Sequence, residues 1–281
     1  MVTDASFNDH VDASYEAIKE LWTTRTCIFM SATARPFFDY WERNKLIPEG
    51  QHYRLPMDYQ FVSSVRFFFR DDDELDIIRR VKEGEKILVF VNTIAKLRKL
   101  RDILKAEGIE DVVCLCSKYR KEASEFDKLD NVLKDATLLH QVTLTTSTLY
   151  NGVDIKDPAL KYIVSELWNP IANAQILGRK RPLSGEDTCV AYLLHYPKDR
   201  LENEVERLEK YQLVPARAYQ KLFDDKKAWK AYLHQPETQK ALQESHTVVL
   251  DRWEGEYCWR KRANLQAIVE RDFLRQMLEH G

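Results

Sequence analysis

The sequence predicts a three-layer α/β fold, a mainly parallel sheet covered by helices on both faces, followed by a helical carboxyl-terminal extension. Three observations carry this. Short apolar, β-branched runs recur at residues 61–69, 87–91, 112–116, 142–145, 162–167 and 189–194. Segments of helical period fill the gaps between them, and strands alternating with helices imply parallel strands joined by right-handed crossovers. After Pro197 the composition turns to charged helical runs, beginning with Leu201-Glu202-Asn203-Glu204-Val205-Glu206-Arg207-Leu208.

In chain order, Tyr15, Ile18, Leu21 and Trp22 fall at helical spacing. A strand-like Cys27-Ile28-Phe29-Met30 then runs into Ser31-Ala32-Thr33. Residues 46–56, with Pro48 and Pro56, are the best domain boundary. Strand 61–69 is followed by Asp71-Asp72-Asp73-Glu74, which imitates the magnesium-binding acids at the end of a nucleotide-site strand. Those acids also precede Leu75, Ile77, Ile78 and Val81, so they read as the first turn of a helix whose dipole they complement. The clearest helix spans 94–106, with Gly108 as its stop.

Strand 141–145 passes into Thr146-Ser147-Thr148-Leu149-Tyr150-Asn151-Gly152-Val153-Asp154. Strand 161–167 passes through Asn169-Pro170, a cap and first-turn pair, into a helix carrying Gln175, Gly178 and Arg179. Gln175 and Arg179 are four apart and share a face. Ligands of open parallel sheets bind beyond the carboxyl ends of the strands. Hydroxyls, a carboxylate, an amide and a guanidinium are therefore expected around one crevice there.

Composition narrows the function classes. With 281 residues the chain has room for one large or two modest cores, and its 44% hydrophobic and 31% charged residues are ordinary for a soluble intracellular protein. A net charge of −2 speaks against a globally basic nucleic-acid binder, so such a contact must come from a local patch. The five cysteines form no Cys-x-x-Cys pair and read as buried, reduced thiols. The seven histidines show no metal-ligand spacing. A signal peptide and a membrane span are not expected, and a cytoplasmic location is.

The motifs resemble a known family. Thr146, with a Gly, an aliphatic residue and an Asp beginning six positions on (Gly152, Val153, Asp154), resembles motif V of superfamily 2 (DEAD/DEAH-like) helicases. Gln175-Ile176-Leu177-Gly178-Arg179 is similar to the start of motif VI, Gln-x-x-Gly-Arg-x-x-Arg. Ser31-Ala32-Thr33 resembles motif III, and Leu88-Val89-Phe90-Val91-Asn92-Thr93 resembles motif IV. Any one of these is weak; four in the family's order, over residues 27–182, are specific.

The resemblance implies a RecA-like (P-loop NTPase-like) second lobe at residues 55–198, a remnant of the first lobe at 1–45, and an extension at 199–281. It also assigns roles. Arg179 faces the triphosphate as an arginine finger, with Gln175 beside it and Arg181 as a further candidate. Gly152 lets the backbone approach ATP, and Asp154 couples that contact to the Gln175 helix or to a ribose hydroxyl. Thr146, Ser147, Asn92 and Thr93 hold nucleic-acid phosphates without reading sequence. Ser31, Ala32 and Thr33 couple the two lobes.

One departure concerns the second arginine of motif VI, whose place seven residues after Gln175 is taken by Pro182. Arg181 stands one residue early, about 100° away on a continuing helix. Either the proline ends the helix and lets Arg181 swing back, or Arg179 acts alone.

The chain contains no Gly-Lys dipeptide, hence no phosphate-cradling Gly-x-x-x-x-Gly-Lys-Ser/Thr loop. ATP and Mg²⁺ are therefore cofactors of an intact parent, none is expected to bind this chain tightly, and the chain by itself is expected to be inactive. Its partners are a P-loop lobe and, weakly, nucleic acid; DNA and RNA are not distinguished. Residues 1 to about 35, whose strand lacks its sheet, are expected to be mobile or to dock on a neighbour, a second copy included. No membrane partner is expected.

In the extension, Trp229, Trp253, Tyr257 and Trp259 lie among basic residues including Arg260-Lys261-Arg262. They read as the core of a small helical bundle, with base stacking and phosphate contact the alternative. The alternative for the whole chain is a non-catalytic nucleic-acid or protein binding module derived from a helicase lobe.

Overall fold

The computed structural model describes residues 20–21, 24–25, 35–43, 45, 58–69, 73–116, 124–150, 153–245, 247–253, 256–261 and 265–280. The chain divides into two compact units, Arg54–Tyr196 and a second made of Met1–Tyr53 with Pro197–Gly281. Ahead of the first unit lies helix α1 (Arg35–Arg43). The first unit then runs β1 (Val62–Phe68), α2 (Asp73–Ile78), β2 (Lys86–Phe90), α3 (Ile94–Ala106) and β3 (Val112–Leu115). It continues through α4 (Leu129–Val132), β4 (Leu133–Lys134), β5 (Thr137–Leu138), β6 (Val142–Thr145), β7 (Leu160–Ser165), α5 (Pro170–Leu177) and β8 (Cys189–Leu194).

Six of these strands form one parallel sheet in the order β1-β8-β7-β2-β6-β3. All six expected strands are present, each within two residues of its expected bounds. Alternation along β2 explains the layers. Ile87, Val89 and Val91 pack with Leu97, Leu100 and Leu104 of α3 and with Ile78 of α2. Leu88 and Phe90 point the other way, toward Leu138, Leu149 and Ile176 of α5. A strand buried on both faces reads as a continuous apolar run, which is why β2 is legible. Thr93 caps α3 by accepting the Lys96 N–H at 3.2 Å. Gly108, at φ 83°, ends it in the left-handed region where a side chain is costly.

The second unit continues with α6 (Lys198–Leu208), a π-turn at Glu209–Leu213, α7 (Val214–Leu222), α8 (Lys226–Leu233) and α9 (Pro236–Gln243). Strands β9 (Val248–Trp253) and β10 (Glu256–Lys261) and helix α10 (Leu265–His280) follow. Pro215 has no N–H to return to the preceding turn, which fits the widened π geometry there. The Thr247 hydroxyl donates to Gln212 O at 2.6 Å, satisfying a carbonyl in that turn. Trp229 is buried with Tyr219, Tyr232 and Trp259 around it, the core reading for Trp229 and Trp259; the side chains of Trp253 and Tyr257 lie outside the described residues. The antiparallel β9–β10 ribbon is an addition to the helical extension foreseen from sequence. Helix α1 packs with α10 in this unit, with Arg43 and Asp272 3.9 Å apart.

The strand expected at 27–30 and the boundary expected at 46–56 lie outside the described residues, as does most of the helix expected at 12–22. Among the described residues no helix is long and apolar enough to cross a membrane.

Candidate functional site

The parallel sheet brings the ends of β2 and β7 side by side, with Phe90 opposite Ser165. The next residues lock together. The Asn92 N–H donates to Glu166 Oε2 at 2.9 Å, its Nδ2 donates to Glu166 O at 3.1 Å, and the Tyr196 hydroxyl donates to the same carbonyl at 2.8 Å. The Lys96 ammonium sits between two carboxylates, bonded to Glu166 and 2.8 Å from Glu74 Oε2. Glu74 is 0% exposed and Glu166 3%. Charges so far from water persist only when paired.

Glu74 lies in the first turn of α2, as expected from sequence, and its carboxylate turns inward to Lys96. Asn92 and Thr93 remain exposed, but their side chains serve internal bonds, one to Glu166 and one as the cap of α3. At the end of β6, Thr146 Oγ1 and Thr148 Oγ1 lie 3.3 Å apart, and Ser147 opens the 3-10 turn Ser147–Tyr150.

A second group forms along the sheet's α5 face. Asn169 caps α5 with its Oδ1 accepting the Ile171 and Ala172 N–H groups at 2.8 and 3.4 Å, and Pro170 fills the first turn, as expected. Because β7 and β8 are adjacent and parallel, α5 must run back toward the amino ends of the strands. Its eight residues carry the chain about 12 Å in that direction. Arg179 and Arg181 therefore lie further toward the amino ends of the strands than Thr146 and Asn92, while α5 itself packs on the Ser147–Tyr150 turn that follows β6. Arg179 donates from Nε to Gln175 O at 3.3 Å and from Nη1 to Val153 O at 3.4 Å. Arg181 Nε donates to Asp154 Oδ1 at 3.0 Å, with both side chains about half exposed, 52% and 51%. Tyr59 donates to Ala174 O at 3.2 Å; burial pushes its hydroxyl pKa up, and the Arg181 charge pulls the other way.

Helix α5 stops at Leu177, before any extrapolated 100° offset for Arg181 applies. Lys180 instead forms a parallel bridge with Ile155. Its ammonium is buried against Asp187 Oδ1 at 2.6 Å and Asp157 O at 2.9 Å. Burial alone would raise the Asp187 carboxyl, but the Lys180 ammonium, the Leu183 N–H and Lys161 outweigh it and hold its pKa below the usual value. Asp157 in turn takes the Lys86 ammonium at 3.0 Å and the Leu138 N–H at 3.1 Å.

Gly152, Ser31, Ala32 and Thr33 lie outside the described residues, as does the Ser147 side chain. Sequence reasoning missed Glu74, Lys96, Glu166, Lys180 and Asp187. The available signal for the last pair was a lysine and an aspartate seven apart across Pro182, closing a short loop. Among the described residues no group of three or more His, Cys, Asp or Glu could hold a metal ion. Burial pushes the thiols of Cys114 and Cys189 up, to about 12 and about 11, so both are inert at neutral pH.

No family model and no curated protein matches the chain. Among solved structures it is similar to S. cerevisiae Dbp5 bound to RNA and ADP BeF3, with 17% identity and a TM-score of 0.45 over 72% of this chain and 53% of that one. It is also similar to the C-terminal domain of the DEAD-box protein Dbp5, with 20% identity and a TM-score of 0.36 over 50% of this chain and 78% of that one. A third is Mycobacterium smegmatis helicase Lhr bound to ssDNA and AMP-PNP, with 16% identity and a TM-score of 0.35 over 52% of this chain and 21% of that one. The chain spans about half the length of the Dbp5 chain it matches first.

Proposed function

We propose that this chain is the carboxyl-terminal lobe of an ATP-dependent nucleic-acid helicase or translocase, contributing motifs IV, V and VI to a cleft whose phosphate-cradling loop another segment supplies. In this reading residues 55–198 are the RecA-like lobe, 1–45 the first-lobe remnant and 199–281 an extension, in a cytoplasmic protein. The observation that carries it is the meeting of Asp154 with Arg181, and of Arg179 with Val153 O and Gln175 O. Residues from two motifs, some 25 positions apart, thereby form one partly exposed edge bearing two guanidiniums.

That donor set fits a polyphosphate: guanidinium forks match phosphate oxygens in pairs. The described residues of this edge hold no carboxylate cluster suited to Mg²⁺, which in this reading belongs to the other half of the cleft. ATP, when bound, supplies the phosphoanhydride to be cleaved. Arg179 and Arg181 would neutralise charge on its oxygens, with Gln175 beside them. Thr146, with Asn92 and Thr93 exposed at the strand ends, offers hydroxyl and amide groups to a nucleic-acid backbone. The second reading, a non-catalytic binding module, draws support from the internal use of Asn92, Thr93 and Arg181.

The purified chain is expected to turn over no ATP above background, for want of the loop. Turnover that disappears on Arg179→Ala would mean that the chain holds a complete site and would overturn the half-cleft reading. Single-stranded oligonucleotides are expected to bind weakly and only at low salt, log Kd rising steeply with log salt because phosphate contacts release counterions. Tight binding at physiological salt would move the nucleic-acid site to the aromatic and basic segment of the second unit.

A further inference from the structure

The missing second arginine of motif VI finds a structural answer in the three residues Arg179-Lys180-Arg181. After α5 ends, Gly178 turns the chain; a Cβ there would stand 3.2 Å from Ala174 O. Arg179 still belongs to that turn, the Lys180 N–H donating to Leu177 O at 3.2 Å, and the chain then bridges Ile155, whose N–H donates to Arg179 O and whose carbonyl accepts the Arg181 N–H, both at 2.8 Å. Arg179 and Arg181 both reach the residues just before Ile155, Arg179 at Val153 O and Arg181 at Asp154, while Lys180 between them bonds to Asp187. Lys180, 1% exposed, is anchored inward by Asp187, 4% exposed. Asp187 uses its second oxygen to accept the Leu183 N–H at 3.0 Å, closing the loop around Pro182.

We propose that Lys180 and Asp187 are a positioning pair that holds Arg179 and Arg181 as one two-guanidinium clamp for phosphate oxygens, Arg181 taking the part of the absent arginine. The inference rests on the reading of this edge as nucleotide-facing. The bridge to Ile155 also fixes its neighbour Asp154, which holds Arg181 through Nε and so orients the guanidinium at the half-exposed surface. A lysine buried in the middle of a basic run stabilises nothing by solvation. Besides pairing with Asp187, it sets the direction of its two neighbours.

The test uses the 281-residue chain and inorganic tripolyphosphate, followed by titration calorimetry at low salt and by the side-chain Nε–H resonance of Arg181. Arg179→Ala and Arg181→Ala are each expected to weaken binding roughly 3- to 10-fold, the range for charge-assisted bonds discounted for exposure. The double variant Lys180→Met with Asp187→Leu replaces a buried ion pair by apolar groups, a change often tolerated by the fold. It is expected to weaken binding as much as Arg181→Ala, to shift or broaden the Arg181 resonance, and to add nothing when combined with Arg181→Ala.

A folded double variant with the native resonance and affinity would make the pair merely structural and overturn the proposal. If Arg179→Ala weakens binding and Arg181→Ala does not, the clamp is wrong while the nucleotide-facing reading stands. Absence of tripolyphosphate binding, or indifference to both arginines, removes that reading and the clamp together. Should the double variant fail to fold, Asp187→Glu displaces the carboxylate by one methylene at constant charge. It is expected to move the Arg181 resonance and weaken binding; no change in either would be equally decisive against the proposal.

Discussion

Replacing Lys180 by methionine is expected to destabilise the α/β unit by ~3–5 kcal/mol at neutral pH, because it strands a buried carboxylate. Methionine keeps most of the side-chain volume, so packing loss contributes little. The cost falls on Asp187, which loses its 2.6 Å partner, and on Asp157 O, which loses a donor at 2.9 Å. The midpoint of urea unfolding should fall with little change in slope. Adding Asp187→Leu should recover most of the loss.

Acid gives a second handle on the same pair. Although burial opposes it, the native Asp187 carboxyl is held below its ordinary pKa by Lys180 and the Leu183 N–H. A depressed carboxylate contributes stability that is complete above the unfolded value, about 3.9, and is lost as pH falls through the folded value. In Lys180→Met burial is opposed only by the Leu183 N–H and Lys161, which shifts Asp187 toward the protonated acid relative to the native protein, so the variant suffers less from acid. The gap between native and variant should therefore narrow as pH drops below about 4. A gap under about 1 kcal/mol at neutral pH, or one that widens in acid, would show that the pair does not carry the load assigned to it.

What the sequence disclosed, and what it hid, divides along the range of the interactions. Strand β2 was legible because Ile87, Leu88, Val89 and Phe90 are all buried, which leaves no polar interruption in the run. The start of α5 was legible because Asn169 caps residues only two and three positions away. Lys180 was not, since it lies between two arginines in what reads as a uniformly solvated run. Only its bridge to Ile155, 25 residues upstream, turns it inward. Glu74 looked like one more acid in an acidic helix start; its partner Lys96 comes from the next helix. The ribbon of β9 and β10 was read as helix because its aromatic residues also fit a bundle core. At the site, the motif residues could be named from spacing. That α5 carries Arg179 and Arg181 away from the carboxyl ends follows from sheet order, which spacing does not contain.

Lys96→Met should be the most disruptive single change at the strand ends, costing at least ~3–5 kcal/mol. One ammonium here serves two carboxylates, Glu74 at 2.8 Å and Glu166, and both are almost wholly buried. Removing it leaves two like charges close together in a poorly solvated site, so repulsion adds to the lost attraction. Glu166→Gln, by contrast, lowers the negative charge of the cluster and keeps an acceptor toward Asn92. It should cost distinctly less, whereas an ordinary ion pair would lose about the same from either side. Hydrogen exchange locates the damage. The Asn92 amide, held by Glu166 Oε2 at 2.9 Å, should exchange much faster in Lys96→Met under native conditions. The amide of Val89, in the middle of the sheet, should follow global stability alone. If Glu166→Gln proves as costly as Lys96→Met, the cluster behaves as one ordinary pair. The electrostatic account of how Asn92 is presented at the end of β2 then fails with it.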